Sequence, residues 1–404
     1  MFKLEKIELK QFRCHEKASF SFANSNKVIF VGENATGKTS IVESIYYLAF
    51  GKSFRTNKDE EIINKNSTNH SFYIKGSFND SETIEIGYDG ANKLVKKSNN
   101  KVKTLSQLIG YFKIVLFSPE DIMLIKGDPK YRRKYMDTSI SQIDGEYLKS
   151  LQKFKLALKE RNEYLKMVDG DVEKLNNEYF EAITKAYIDA CVIVEKKREE
   201  FIKKINDFSS KICSKISSEE DTLNITYFPD VNVDKYWITF KEKLMIDIYS
   251  KTTTWGAARD DFKVAINDAL AVDSASQGQI RTACLSLKLA VVDYYKEVSD
   301  KIIIILDDVL SELDKNRQNK IVETLDRESQ TFITTTSINL LSEKALDNSE
   351  IIEIRRGEYH GWRKIWWTSK TIRQKSSRFK RYTKRWRRIW CKFYYVTWRF
   401  RSCS

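Results

Sequence analysis

The sequence is poor in cysteine, and the few cysteines form no recognisable pairs. Six cysteines are scattered among the 404 residues, and none belongs to a Cys-x-x-Cys motif. This spacing argues against a zinc site and against a disulfide framework, so a reducing compartment fits best. An apolar run such as Ile302 to Leu306 is far too short to span a membrane, and the N-terminus lacks the apolar segment of a signal peptide. We therefore expect a cytoplasmic protein.

Acidic residues are absent from the last 43 residues. The net charge is +14, but 15 lysines and arginines lie between Trp362 and Ser404, which leaves residues 1–361 with about −1. The tail also holds six of the eight tryptophans, and basic residues interleaved with aromatic ones are typical of nucleic-acid binding. No helical or strand period is sustained through it. A segment from a shifted reading frame or a fusion is the alternative, and we favour it.

A glycine-rich phosphate-binding motif follows a short apolar strand. Val28 to Val31 is wholly apolar, and Ser40 to Phe50 carries the spacing of a helix. Strand, loop and helix are the context that a P-loop requires, because glycines let backbone N–H groups surround a phosphate. The motif predicts binding of ATP and Mg²⁺, with Lys38 as the charge on the phosphates and Thr39 as a metal ligand. The residues predicted to line the nucleotide are Gly32, Glu33, Asn34, Ala35, Thr36, Gly37, Lys38, Thr39 and Ser40.

A second apolar strand, Ile302 to Leu306, ends in two adjacent carboxylates. Asp307 would orient water on the magnesium ion, and Asp308 would polarise the water that attacks the γ-phosphate. The alternative is a core strand followed by two solvated acids. Because a P-loop occurs in the same chain, we favour an ATPase with Asp308 and Lys38 as catalytic residues.

A Ser-Gln-Gly-Gln segment precedes a predicted helix over Ile280 to Val292. Serine and glycine at a helix N-terminus can bind an anion, and the alternative is an ordinary helix cap. Taken alone, the segment favours the cap. The residues concerned are Ser276, Gly278 and Gln279.

The chain pattern predicts an α/β fold interrupted by helices. Alternating strands open the chain, long helical spacing runs from Pro119 to about Ser217, and strands return late. Because the nucleotide motifs lie on both sides of the helices, one split domain with a helical insertion is expected. The predicted divisions are an N-terminal part of the head (1–118), a helical arm (119–250), a C-terminal part of the head (251–361) and a basic, tryptophan-rich tail (362–404).

Together these motifs resemble ABC-type ATPases of the SMC class. Two longer segments, Pro119 to Asp137 and Asp307 to Arg317, are similar to the RecF family in particular. The resemblance runs from Leu4 to about Gly357. It implies an SMC-like P-loop ATPase head with a mixed sheet, an antiparallel side sheet and a short helical insertion.

The resemblance also implies roles that the pattern alone does not supply. ATP would close a homodimer in which Ser276 of one copy completes the site of the other. Arg13 would approach the phosphates, Asp314 would lie at the dimer interface, and the Thr336 hydroxyl would stand near the switch position.

The function implied is recombinational DNA repair. A RecF-like ATPase would close on gapped or junction DNA, hydrolyse ATP slowly, and help RecO and RecR to load RecA. The head of another SMC-like machine is the alternative, although the chain lacks a long hooked coiled coil. The sequence departs from the family at Ala257 and Ala258, where a proline and a histidine are usual, and no clear Q-loop glutamine is found.

A basic cluster lies inside the region that resembles the family. Its members are Lys126, Lys130, Arg132 and Arg133. These side chains could grip DNA phosphates, and the alternative is a solvated helix face paired with nearby acids. The sequence leaves the two interpretations equally open.

Overall fold

A computed structural model of the chain describes residues 2–355, except 23, 24, 80, 219 and 326–328, together with the backbone of Lys364–Trp366. Most of the predicted tail therefore lies outside the described residues. Among the residues described, no helix is long and apolar enough to cross a membrane.

The strands form three sheets. The side sheet is antiparallel, with the order β2-β1-β4-β5-β6-β7, and the central sheet has the order β15-β14-β3-β13-β12-β8. A small antiparallel sheet has the order β11-β10-β9. The strand bounds are β1 Leu4–Phe12, β2 His15–Ser21, β3 Lys27–Val31, β4 Phe72–Phe78, β5 Thr83–Tyr88, β6 Lys93–Lys97, β7 Asn100–Lys101, β8 Lys113–Phe117, β9 Leu223–Phe228, β10 Asp261–Ile266, β11 Ala269–Leu270, β12 Ile302–Asp307, β13 Gln330–Thr335, β14 Ser349–Glu353 and β15 Lys364–Trp366.

The helices surround the central sheet and build an arm. Helix α4 packs along α5, and α5 also packs against α8. The helix bounds are α1 Lys38–Phe50, α2 Met123–Lys126, α3 Pro129–Ser141, α4 Gly145–Val168, α5 Asn177–Ser217, α6 Tyr236–Ser250, α7 Ala271–Ser274, α8 Gln277–Lys296, α9 Lys315–Thr324 and α10 Glu343–Leu346.

The central sheet is covered on both faces, which explains why its strands are apolar throughout. In β12, Ile302 and Ile304 face a core shared with α8 and the arm, whereas Ile303 and Ile305 face a core shared with α1 and the side sheet. Strands β14, β3, β13, β12 and β8 are parallel to one another. Parallel strands that are buried on both sides read as continuous runs of branched apolar residues.

The parallel order of the strands brings the segments that carry the candidate site residues to one edge of the central sheet. Strands β3, β13 and β12 are neighbours, so the residues that follow Val31, Thr334 and Leu306 meet at the carboxyl edge of the sheet. Open α/β sheets bind ligands at such edges. The helical pattern predicted from Pro119 to Ser217 corresponds to the long helices α3 to α5, and the segment 119–250 also supplies β9.

Candidate functional site

The loop between β3 and α1 has the tight backbone path of a phosphate-binding loop. Gly37 has a φ of 101°, and a Cβ there would lie 2.5 Å from Cys14 Sγ. At Gly32 a Cβ would lie 2.3 Å from the carbonyl oxygen of Ile354. Both glycines are therefore required by the backbone path. The ring of His15 packs against the loop, and its Nε2 lies 3.2 Å from the carbonyl oxygen of Gly37.

Lys38 turns back over this loop. Its Nζ donates to the carbonyl oxygens of Gly32 at 2.8 Å and Glu33 at 2.9 Å. Burial lowers the pKa of Lys38, while the nearby carboxylates of Asp308 and Asp307 raise it. The ammonium group is thus held at the mouth of the loop, where a phosphate would replace the two carbonyl oxygens as its partner.

Thr39, Asp307 and Thr334 join three neighbouring elements. The Thr39 hydroxyl donates to Asp307 Oδ1 at 3.1 Å, and the Thr334 hydroxyl donates to the same oxygen at 2.7 Å. Burial raises the pKa of Asp307, and the two hydroxyl donors act in the opposite direction. Thr334 is a site residue that the sequence interpretation missed, since the family resemblance points to Thr336 two positions later. Thr334 reaches Asp307 because β13 lies between β3 and β12, and spacing along the chain does not show that order.

Asp308 is held in an unusual conformation with an unsatisfied oxygen. Its φ is 56°, in the left-handed region, which is uncommon for residues other than glycine although aspartate enters it more readily than most, and its backbone N–H donates to the Thr334 hydroxyl at 2.9 Å. Within the described structure, the buried Oδ1 atom of Asp308 has no hydrogen-bond partner. Strain and an orphaned acceptor together are typical of a catalytic position.

These residues fit a nucleotide and its metal. The loop amides and Lys38 suit phosphates, while the hydroxyl of Thr39 and the carboxylate of Asp307 are the oxygen donors that Mg²⁺ prefers. No group of three or more His, Cys, Asp or Glu side chains suited to a metal occurs in the described ranges. A magnesium ion here would therefore depend on phosphate oxygens and water for its remaining ligands.

Arg13 lies beside α1, bound to a buried carboxylate. Its Nε and Nη2 atoms donate to Glu43 at 2.9 and 2.5 Å, and its Nη1 donates to the carbonyl oxygen of Glu61 at 2.7 Å. Arg55 Nη1 lies 3.5 Å from the same carboxylate, and its positive charge lowers the pKa of Asp307. The phosphate contact of Arg13 stays a prediction. Arg55, which is half exposed and shares Glu43 with Arg13, is a second candidate that the sequence interpretation missed.

Ser276 caps the helix that follows it. Its side chain accepts from the backbone N–H of Gln279 at 3.2 Å, while Gln279 Oε1 accepts from the Ser276 N–H at 3.0 Å. This capping box presents Ser276 and Gln277 to solvent at the N-terminus of α8. Gln279 Nε2 also donates to Asp221 at 2.8 Å, which connects the segment to the end of the arm helix α5.

The segment after β12 packs against this helix start. Arg281 lies 3.0 Å from Glu312, and the side chain of Arg317 covers Gly278, whose Cβ would meet it at 3.2 Å. Asp314 is exposed and caps α9 by accepting from the N–H of Arg317 at 3.0 Å. The interface role of Asp314 stays a prediction, as does the switch role of Thr336, which lies just beyond β13.

The predicted basic cluster is divided by the structure. Arg132 is mostly buried and donates two hydrogen bonds to Asp261, at 2.6 and 2.9 Å, and Arg133 donates to the carbonyl oxygen of Asp260 at 2.9 Å. Lys126 and Lys130 remain exposed. The two arginines thus hold α3 against β10, and DNA contact by this cluster stays a prediction that rests mainly on the lysines.

The segment that departs from the family pattern lies at the base of the arm. Arg198 of α5, 1% exposed, pairs with Asp260 and Asp137 at 2.9 Å each and donates to the carbonyl oxygen of Ala257 at 2.6 Å. Ala257 itself is buried. The acid Asp260 and the backbone carbonyl of Ala257 therefore fasten α5 to the head, and the hydrogen bond at position 257 does not depend on its side chain.

The chain is similar to proteins of one family along most of its length. A family model described as the RecF/RecN/SMC N terminal domain matches residues 3–359. The DNA replication and repair protein RecF of Halalkalibacterium halodurans is 36% identical over 369 residues, which cover 88% of this chain and 98% of that protein. RecF of Streptococcus thermophilus is 38% identical over 350 residues, which cover 84% of this chain and 93% of that protein.

Solved structures agree with the sequence comparison. The recombination mediator protein RecF-ATP in the RecFOR pathway has a TM-score of 0.80 and 32% identity, and the match covers 90% of this chain and 98% of that one. An Smc head domain from Pyrococcus furiosus has a TM-score of 0.54 at 17% identity, and the match covers 94% of this chain and 100% of that one. The second likeness shows the fold alone. The predicted α/β SMC-like ATPase head is confirmed.

Proposed function

The chain belongs to the RecF family of SMC-like ATPases, and from that membership we propose that it is an ATP-dependent DNA-binding protein of recombinational repair. The observation that carries this proposal is the cluster at the carboxyl edge of the central sheet. There Thr39 and Thr334 hold Asp307, and Asp308, beside Lys38, keeps an oxygen for which the described residues offer no partner.

Each residue of this cluster has a defined task. Lys38 exchanges its two loop carbonyls for phosphate oxygens, and Thr39 and Asp307 would hold the metal ion. Bound Mg²⁺ supplies neutralisation of charge on the phosphate oxygens. Asp308, with its free Oδ1, accepts a hydrogen bond from the attacking water and orients it. Hydrolysis is slow because the water-orienting arrangement is completed only when a second copy closes the site.

The second copy contributes Ser276. Its hydroxyl and the N-terminus of α8 lie exposed on the surface, and together they form an anion-binding surface suited to the partner's γ-phosphate. Asp314 lies exposed on the segment that packs against this helix. Two ATP molecules bound between two heads would supply the free-energy difference between open and closed states.

The biological setting follows from the relatives. A solved relative is described as the recombination mediator RecF in the RecFOR pathway. By that likeness, this chain closes as an ATP-bound dimer on gapped or junction DNA and assists RecA loading together with RecO and RecR.

Sedimentation of the purified chain with and without ATP and magnesium tests the proposal. Wild type is expected to shift from monomer to dimer with nucleotide and to bind duplex DNA more tightly. Lys38→Ala should bind no nucleotide, whereas Ser276→Arg should bind nucleotide normally but stay monomeric. A wild-type chain that remains monomeric at saturating ATP and magnesium, or binds DNA equally well without them, would refute the clamp.

A further inference from the structure

The side sheet presents one face to the core and the other to solvent. Residues on the inner face, such as Ile7, Ile74 and Ile86, are fully buried. The residues that alternate with them make up what we call the outer face. At the paired positions of that face stand six lysines and two glutamates: Lys6, Lys10, Lys17, Lys75, Lys96, Lys101, Glu8 and Glu85.

Two pairs of these lysines stand directly opposite one another across antiparallel strands. Lys10 of β1 faces Lys17 of β2, and Lys96 of β6 faces Lys101 of β7. Like charges directly opposite in a ladder destabilise a sheet, whereas opposite charges stabilise it. Lys96 also faces Glu85 and Lys10 also faces Tyr73 on the other side of its strand, which offsets part of the repulsion. A polyanion bound at this face would offset more of it.

The acids of the face are already engaged by other lysines. Glu8 is bound by Lys6 at 2.5 Å and Glu85 by Lys75 at 2.8 Å. In the part of the chain that the structure describes, no carboxylate forms an ion pair within 4.0 Å with any lysine of the two opposed pairs. The net positive charge of the outer face is therefore concentrated at two places.

The separation of these two places is comparable with the width of a DNA groove. From Lys10 on β1 to Lys96 on β6 the sheet order crosses three strand spacings, or about 14 Å at roughly 4.8 Å each, and Lys96 is offset by two residues, or about 7 Å, along the strands, so the backbones at these two lysines are about 16 Å apart. The major groove of B-form DNA is about 12 Å wide, with a phosphate backbone on each side. One lysine pair can thus contact each backbone of a duplex lying across the sheet.

Single-stranded DNA fits the face less well. Single-strand sites stack successive bases on several aromatic side chains. Tyr73 is the one aromatic residue at the paired positions of the outer face in the described structure, and Lys10 Nζ lies 5.5 Å from its ring centre. We infer that the outer face of the side sheet binds the phosphate backbone of duplex DNA through Lys10, Lys17, Lys96 and Lys101. This inference rests on the proposed function, since it names the DNA-contacting surface of the ATP-bound protein.

The salt dependence of duplex binding by the full-length chain tests this surface. The variants are Lys10→Gln with Lys17→Gln and, separately, Lys96→Gln with Lys101→Gln. The matched control replaces two exposed lysines of α4, Lys153→Gln with Lys166→Gln. Each phosphate contact adds about 0.9 to the slope of log affinity against log salt. Each outer-face double variant should lower that slope by about 2 with ATP and magnesium present, equally for unrelated duplex sequences, and the control should leave it unchanged.

Several results would overturn the inference. Slopes equal to wild type in both outer-face variants would show that the lysines do not touch DNA, and aggregation of those variants at low salt would then identify them as protection of the sheet edges. Equal losses on a single strand of the same length would contradict the duplex assignment. A fall in ATP affinity would trace the effect to the nucleotide site. Failure of wild type to bind duplex DNA would refute the proposed function as well. Equal salt slopes in wild type and the variants would refute only the assignment of DNA binding to the outer face.

Discussion

Thr334 provides the sharpest test of how the nucleotide site is held. In Thr334→Val the side chain keeps its shape but loses the hydroxyl that donates to Asp307 and accepts from the N–H of Asp308. A hydrogen bond to a charged group contributes about 1.5–3 kcal/mol, and a buried N–H left unpaired costs about 1–3 kcal/mol. We expect the free energy of unfolding to fall by about 3–5 kcal/mol.

The same change should alter the titration of Asp307. The Thr334 hydroxyl lowers the pKa of this carboxyl, against the larger effect of burial, which raises it. Without the hydroxyl the pKa rises further, so the carboxylate needed for the metal is lost at a higher pH. Magnesium-dependent ATP affinity, measured as the pH is lowered, should therefore decline earlier in Thr334→Val than in wild type.

Thr334→Ser is the matched control, since it keeps the hydroxyl and removes one methyl group worth about 1 kcal/mol. Urea unfolding and fluorescent-nucleotide titrations on the three proteins supply the comparison. If valine and serine at this position prove equally stable, and their pH profiles coincide, the hydroxyl does not position Asp307 and the reasoning is refuted.

Three further changes probe the fold around the site. Arg198→Met leaves Asp260 buried without its cation and should lower the free energy of unfolding by about 3–5 kcal/mol in urea titrations; a loss below about 1 kcal/mol would contradict this. Gly37→Ala forces strain of about 1–3 kcal/mol and should weaken ATP binding about tenfold or more. Gly145→Ala, where a Cβ would meet none of the described atoms within 4 Å, should not weaken it. Burial raises the pKa of Glu195 to about 7, so the folded state holds a proton that the unfolded state has lost. The free energy of unfolding should therefore fall by up to about 3 kcal/mol as the pH rises from about 4.5 to 7. In Glu195→Gln this contribution to the pH dependence of stability should be absent.

The sequence predicted the central sheet well because periodicity reports burial directly. The apolar run ending in Asp307 was expected to be a buried strand and is one, covered on both faces, and the helix expected over Ser40 to Phe50 begins two residues earlier, at Lys38. The glycine-rich loop was equally predictable from the sequence, since Gly32 and Gly37 stand at positions that no side chain can occupy. Local rules suffice where a feature depends on neighbouring residues.

Features that depend on distant residues could not be read in the same way. Thr334 acts only because β13 lies between β3 and β12, and that order is a property of the folded sheet. The sequence left open whether Arg132 pairs with an acid, and its partner proved to be Asp261 of β10, 129 positions away in sequence. Lys10 and Lys17 form a like-charged pair only because the register of β1 and β2 places them opposite each other. Strand order and register carry this information, and neither follows from spacing along the chain.

The central claim is that each ATP site is built from two copies of the chain, and a mixing experiment tests it most directly. Lys38→Ala and Ser276→Arg should each be inactive as an ATPase. Because neither variant dimerises with itself, every dimer in an equal mixture contains one of each, and one of its two sites combines an intact Lys38 with an intact Ser276. We predict that the mixture regains up to about half of wild-type ATPase activity, in keeping with closed symmetric dimers. A mixture as inactive as its components, or a Ser276→Arg chain that is fully active alone, would contradict the account.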